Sequence, residues 1–247
     1  MELLSSLINM NKIQLYELEK QLGYSFREIG LLQLALIHRS FSFEHDSHQD
    51  TDNERLEYLG DAVLDLAVGH ALFEGYPKMR EGQLTKLRAM LVNEGHLAEM
   101  AEKIALGRYL CLGKGESASG GCSKPSILSC AYEAVVGAIF LDGGYVAAAE
   151  FVSQHFGPHL DTHKNKMHLS DAKSSLQELT QEKYNEAPVY VMEKADGPDH
   201  NKTFTVSVSF RNKVLAYGKA TSKKEAEQKA AATALLKFSE LDIPLHG

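Results

Sequence analysis

Four carboxylates, Glu54, Glu57, Asp61 and Asp65, recur at spacings of three and four residues between Asn53 and Asp65. On an ideal helix they fall within roughly 80° of one another, while Leu56, Leu59, Val63, Leu66 and Ala67 occupy the opposite side. Like charges at these spacings cost a helix roughly 0.2–0.5 kcal/mol per pair, and no Lys or Arg is interleaved in the stripe. Either the face is solvated or a cation from outside relieves it. A second acid bears on the choice. From Ile127 to Leu141 the only charged residue is Glu133, set among Ala131, Tyr132, Ala134, Val135 and Val136. Burying it ionised and unpartnered would be expensive, so it calls for a metal, a proton or an Arg from elsewhere. Hard oxygen donors from two helices suit magnesium, which keeps several waters and takes further contacts from phosphate oxygens.

The C-terminal part carries chemistry of the opposite sign. Ser222 and Glu225 form an S-x-x-E capping box that starts a helix, and Lys223 and Lys224 occupy its first turn. Positive charge opposes the helix dipole there, and a docked phosphate would reverse the balance; two solvated lysines are the alternative. An earlier helix presents Ser174, Gln177 and Glu178 on its polar side, with Leu176 and Leu179 facing inward, and His200 stands in the loop Gly197-Pro198-Asp199-His200. His45 and His48 have a ligand-like spacing but neither the carboxylates nor the apolar surroundings of a site, and are read as a solvated loop.

The elements that must hold these groups divide the chain in two. Residues 12–160 read as helices throughout, with apolar residues at three- and four-residue spacing and a Gly/Ser-rich loop, LGKGESASGGCSKPS. An apolar helix follows, SILSCAYEAVVGAIFLDGG, closed by Gly143 and Gly144. Residues 161–170 are polar and without period, as a linker would be. Residues 171–240 then read as helix, strands near 188–193, 203–210 and 213–220, and a helix over 223–238. The expected fold class is therefore multidomain: an all-α domain followed by a small α-β-β-β-α domain of the α+β class.

Charge follows the same division. The net charge of −7 resides entirely in residues 1–169, whereas residues 170–247 are neutral overall. The acidic surplus lies where a cation site would need it, and the second domain must bind through local clusters. Three cysteines, Cys111, Cys122 and Cys130, lack the paired short spacings of a zinc site and are expected to be reduced thiols. No apolar run approaching roughly 20 residues and no secretory signal order is seen, so no membrane association and a cytoplasmic location are expected.

The run Asn53-Glu54-Arg55-Leu56-Glu57-Tyr58-Leu59-Gly60-Asp61 resembles the signature of the ribonuclease III family. The resemblance extends to Tyr24–Arg27, Ala35–Ser40, Leu87–Ala89, Gly113–Glu116, Gly120-Gly121 and Ser126–Leu128, and residues 171–238 resemble a double-stranded RNA-binding domain. It implies that Glu57, Asp61 and Glu133 hold catalytic Mg2+, for which Mn2+ can substitute, and that Asp61 and Glu133 are least replaceable for cleavage. Glu54 would serve substrate handling and the subunit interface, and Tyr58 would insert into the partner of a homodimer. Ser174, Gln177, Glu178, His200, Lys223 and Lys224 would contact double-stranded RNA, largely through its shape and 2′-hydroxyls. The implied reaction is two-metal phosphodiester hydrolysis to 5′-phosphate and 3′-hydroxyl ends, in ribosomal and messenger RNA processing, with no small-molecule cofactor. One residue departs from the pattern: Cys130 stands where an aspartate ligand is usual, and a protonated thiol is a poor magnesium ligand. The alternative it raises is a double-stranded RNA-binding regulator that cleaves weakly or not at all. Cys122 and Ser123 stand where Arg is common, leaving Lys124 as the basic residue of that loop.

Overall fold

The apolar periodicity of the first part closes into helices. A computed structural model describes residues 12–45, 51–198 and 202–238, and the chain divides into two compact units, 1–160 and 161–247. In the first, α1 (Lys12–Leu22), α2 (Ile29–Ala35) and α3 (Arg39–Glu44) precede α4 (Glu54–Gly75), α5 (Glu81–Leu91), α6 (Glu94–Lys103) and the short α7 (Lys114–Ala118). Next comes α8 (Pro125–Tyr184), interrupted at Gly144, whose φ of 75° and ψ of −172° leave the helical region. The core is built from one face of each long helix: Leu56, Val63, Leu64 and Leu72 of α4 are buried, as are Leu87 of α5, Leu97 of α6 and Val135 and Ile139 of α8.

The start of α4 is fixed by its flank. Asn53 is buried, its backbone N–H donates to the Ile37 carbonyl at 2.8 Å and its side-chain amide donates to the Ala35 carbonyl at 3.2 Å. The Asp52 carboxylate accepts from the Glu54 N–H at 3.1 Å, taking one of the helix's unpaired first-turn donors.

Asp142 ties the segment after α1 to α8. Its carboxylate accepts from the Tyr24 hydroxyl at 2.6 Å and from the backbone N–H groups of Arg27 and Glu28 at 3.0 and 2.8 Å. Burial works against its ionisation, but these hydrogen bonds prevail and hold its carboxyl below the usual aspartate range. Substitution Asp142→Ala should cost about 1.5–3 kcal/mol, the scale for hydrogen bonds to a charged group. The check is a lower urea midpoint for the first unit with divalent-cation binding unchanged.

Three expectations need correction. The Gly/Ser-rich stretch is not all loop: α7 and a 3-10 turn at Gly121–Ser123 form within it. The amides of Lys114 and Gly115 donate to the Glu44 carboxylate at 2.9 and 3.5 Å, which caps α7 from outside. Residues 161–170 are helical rather than irregular; no Gly or Pro interrupts them, and polarity alone does not break a helix. Finally, Pro125–Leu160 contains an 18-residue stretch with a mean hydropathy of 1.6, long and apolar enough to cross a membrane by length and composition. Its apolar residues Leu128, Ala131, Val135, Val136 and Ile139 are instead buried in the core of the unit.

The second unit holds the last part of α8 and an antiparallel sheet in the order β1 (Val189–Asp196), β2 (Thr203–Phe210), β3 (Lys213–Ala220), followed by α9 (Lys223–Phe238). The alternation of β2 places Val208 and Phe210 in the core with Leu176, Ala230 and Ala234, and Val206 in an adjoining cluster with Ala220 and Ala226. Arg211 and Asn212, at φ 49° and 61°, make the two-residue turn into β3, the positive-φ pair that a type I′ hairpin requires. Lys173 joins the two helices, its N–H donating to Gln228 at 2.8 Å and its ammonium pairing with Glu227 at 2.6 Å.

Candidate metal centre and nucleic-acid interface

The structure resolves the carboxylate stripe into unequal parts. Glu54 is paired with Arg39 at 3.1 Å, and Asp65 with Arg88 at 3.6 Å. Neither arginine belongs to α4, so cations from other elements relieve the two ends of the stripe. Among the described residues, no ion pair is seen for Glu57 or Asp61 in the middle.

Those two carboxylates face α8. One donor atom each from Glu57, Cys130 and Glu133 lie within 4.8 Å of one another. Burial first, then the charges of Asp61 and Glu57, push the Glu133 carboxyl from its ordinary range up to about 7. The proximity of Asp61 is thus felt by Glu133, although Asp61 itself is exposed. Three carboxylates from two helices, none with a cationic partner among the described residues, are a hard-oxygen donor set that fits a divalent cation such as magnesium.

Cys130 is the exception within that set. Burial first, then the hydrogen bond to Glu57 and the charges of Glu57 and Glu133, push its thiol up to about 12. A cavity of about 420 Å³ opens beside it, lined by His38, Arg39, Glu54, Glu57, Glu116 and Lys124 among others. Lys124 does not point free into that space, because its ammonium contacts Glu116 at 2.6 Å and Ser119 at 3.0 Å. Arg39, Arg88 and Glu116, which pair with or neighbour the acids, have no role assigned from the sequence and occur there only within matched runs; only the fold brings them beside Glu54, Asp65 and the cavity.

A larger groove, about 830 Å³, lies along α4 away from Glu57 and Glu133. It is lined by Leu66, Phe73, Leu84, Arg88 and Tyr145 among others. Leu66, assigned by the helical wheel to the buried side, is 58% exposed, and Tyr58 and Phe73 are 82% and 70% exposed. A wheel separates polar from apolar faces, but it cannot say whether the chain itself supplies the covering layer.

In the second unit Ser174, Gln177 and Glu178 are exposed on α8, with Leu176 fully buried beneath. Lys223 and Lys224 are exposed at the start of α9, where the Ser222 hydroxyl accepts from the Glu225 N–H at 3.2 Å. Glu225 itself pairs with Lys229 at 2.8 Å. His200 and His48 lie outside the described residues.

This architecture, a helical unit with converging acids followed by an α-β-β-β-α module, defines the chain as a nuclease joined to an RNA-binding domain. Residues 28–160 match the Ribonuclease-III-like family model, and residues 172–238 match the double-stranded RNA binding motif. The chain is 57% identical to the ribonuclease 3 of Desulfotalea psychrophila over 235 residues, covering 95% of this chain and 97% of that relative. To the ribonuclease 3 of Syntrophobacter fumaroxidans it is 46% identical over 222 residues, 88% of this chain and 92% of that one. The crystal structure of the nuclease domain of ribonuclease III from Campylobacter jejuni is 43% identical, with a TM-score of 0.55, covering 61% of this chain and 97% of that domain. A second structure of that domain, concerned with flexibility in a region involved in dimer formation, is 44% identical with a TM-score of 0.52, covering 57% and 97%. The chain belongs to the ribonuclease III family, a generally metal-dependent family of nucleases.

Proposed function

We propose that the chain is a homodimeric, Mg2+-dependent endonuclease that cuts double-stranded RNA to 5′-phosphate and 3′-hydroxyl ends, with Mn2+ able to substitute. The observation that carries this reading is the approach of Glu57 and Glu133 to within 4.8 Å, with the charge of Asp61 near enough to raise the Glu133 carboxyl and no cationic partner for any of the three among the described residues. These three carboxylates would hold the cation, with Asp61 and Glu133 the least replaceable for cleavage. When bound, it supplies charge stabilisation and water activation for in-line attack at phosphorus. Glu54, tethered by Arg39 at the rim of the cavity, would handle substrate and meet the partner subunit. Tyr58, Leu66 and Phe73 are a run of exposed apolar side chains on α4, and a second copy covering them would bury Tyr58.

The second unit would grip the duplex through Ser174, Gln177 and Glu178 on one helix and through Lys223 and Lys224 at the start of another, with His200 from the β1–β2 loop. The helix supports phosphate contact through its positive N-terminal dipole, and the hydroxyl and amide groups support contact with ribose edges in a wide minor groove. Ribosomal and messenger RNA precursors in the cytoplasm are the proposed setting.

The test incubates full-length protein with a perfect RNA duplex and Mg2+. Cleavage should appear, stop on chelation and persist in the presence of excess DNA duplex. Tight duplex binding without cuts at any Mg2+ concentration would replace this reading with that of a non-cleaving regulator, which the thiol of Cys130 in the donor set favours.

A further inference from the structure

Cys130 is the one member of the acidic cluster whose chemistry does not match magnesium. Its sulfur and the carboxylate oxygens of Glu57 and Glu133 all lie within 4.8 Å of one another. Donors bound to one tetrahedral ion at about 2.0–2.3 Å stand about 3.3–3.7 Å apart, so closing the three on a single ion draws them together by up to roughly 1.5 Å, within the reach of side-chain rotation. The site is open to solvent ions, because Glu57 and Cys130 both line the 420 Å³ cavity. Cys111 and Cys122 do not belong to the cluster.

We propose that Glu57, Cys130 and Glu133 form a mixed sulfur and oxygen site that takes a thiophilic divalent cation, of the Co2+ or Zn2+ class, in preference to Mg2+. The inference rests on reading the acidic cluster as a divalent-cation site and changes which ion that site selects. Magnesium demands hard oxygen donors in near-ideal octahedral geometry, whereas thiolate binds the later first-row ions more strongly than oxygen-only sites do. On coordination the S–H bond breaks, a sulfur–metal bond forms and the proton passes to solvent, with no change of oxidation state. Asp61, exposed and outside the three-residue cluster, remains available for a hard ion beside it.

The experiment titrates the full-length chain with Co2+ in the absence of RNA, following the near-ultraviolet sulfur-to-cobalt charge-transfer band, with parallel calorimetry using Mg2+. Wild type should develop the band with one equivalent per chain, and Cys130→Ser and Cys130→Asp should both lose it. The ratio of Co2+ to Mg2+ affinity should fall by roughly 10- to 100-fold in Cys130→Asp, the range over which even outer partners of a ligand alter metal affinity. Co2+ binding of equal affinity in wild type and Cys130→Ser without a band would overturn the proposal and leave an oxygen-only cation site standing. A band retained in Cys130→Ser would overturn it too, by assigning the sulfur to Cys111 or Cys122. Absence of binding by either ion to wild type and to Cys130→Asp would remove the cation site itself.

Discussion

Replacing Glu133 with glutamine should make the metal-free protein more stable above neutral pH and at the same time remove duplex cleavage. Burial and the neighbouring Asp61 and Glu57 raise its carboxyl to about 7, from an ordinary value of 4.5. The sign follows from linkage: an acid whose pKa is higher folded than unfolded binds more protons in the native state across that interval. Metal-free stability should therefore fall as pH rises from about 4.5 to about 7 and stay low above it. Glutamine carries no such penalty. Each pKa unit corresponds to about 1.4 kcal/mol, but the side chain is only partly buried, so solvent screening leaves about 1–2 kcal/mol in favour of the variant. Mg2+ should stabilise wild type by mass action and leave Glu133→Gln unmoved. Cleavage should drop by at least roughly 10²- to 10³-fold, the scale for removing one preorganised stabilising group. At subsaturating Mg2+ the activity of wild type should climb as pH passes through about 7, with the inflection moving lower as Mg2+ is raised. Thermal melts at pH 6 and pH 8, with and without Mg2+, decide the matter. A variant that is less stable than wild type without metal and equally stabilised by Mg2+ would mean that Glu133 is not an unrelieved carboxylate at a cation site.

The sequence marks the acids of this site more clearly than it marks their partners. The helical period groups Glu54, Glu57, Asp61 and Asp65, and the isolation of Glu133 in an apolar helix is visible by inspection. Which of the four remain uncompensated is a tertiary property: Arg39 and Arg88 reach Glu54 and Asp65 from α3 and α5. The same limit applies to Leu66, whose place on the wheel is apolar but which no described residue covers. Alternation in β2 predicts the burial of Val206, Val208 and Phe210, but not that of Ser207 on the other face, whose hydroxyl is taken up by the Glu193 carboxylate at 2.6 Å. Polar composition is a poor guide at 161–170, which lie within one continuous helix although Asp161, Thr162, His163, Asn165, His168 and Ser170 are weak helix formers; only Gly and Pro would have broken it outright. Cys130 illustrates both sides: its departure from the family pattern is legible, while its place within 4.8 Å of the Glu57 and Glu133 carboxylates needs the fold.

A single methyl group at Gly60 should damage the protein more than the loss of a surface charge anywhere in the first unit. A Cβ there would lie 1.8 Å from the Glu133 carbonyl oxygen and 2.9 Å from the Gly137 nitrogen. Reciprocally, a Cβ on Gly137 would lie 2.3 Å from the Leu56 carbonyl oxygen. Two glycines thus let α4 and α8 touch backbone to backbone, and that contact sets the distance from Glu57 and Asp61 to Glu133 and Cys130. Backbone atoms cannot swing aside as a long side chain can, so Gly60→Ala must push the helices apart. Overpacking a tight core costs typically about 1–3 kcal/mol and occasionally more, and this pair belongs at the upper end because both partners are main chain. Activity should fall further than stability alone requires, since a displacement of about 1 Å in catalytic groups can cost roughly 10²-fold. Gly82 supplies the control. In the first turn of α5 an added Cβ meets nothing within 4 Å, so Gly82→Ala should be neutral or stabilising by up to about 1 kcal/mol. Urea midpoints, Mg2+ affinity and cleavage rates for both variants make the comparison. Gly60→Ala with a wild-type midpoint and full cleavage would show that the two helices do not meet at this pair, and the route by which the acidic stripe reaches Glu133 would have to be drawn differently.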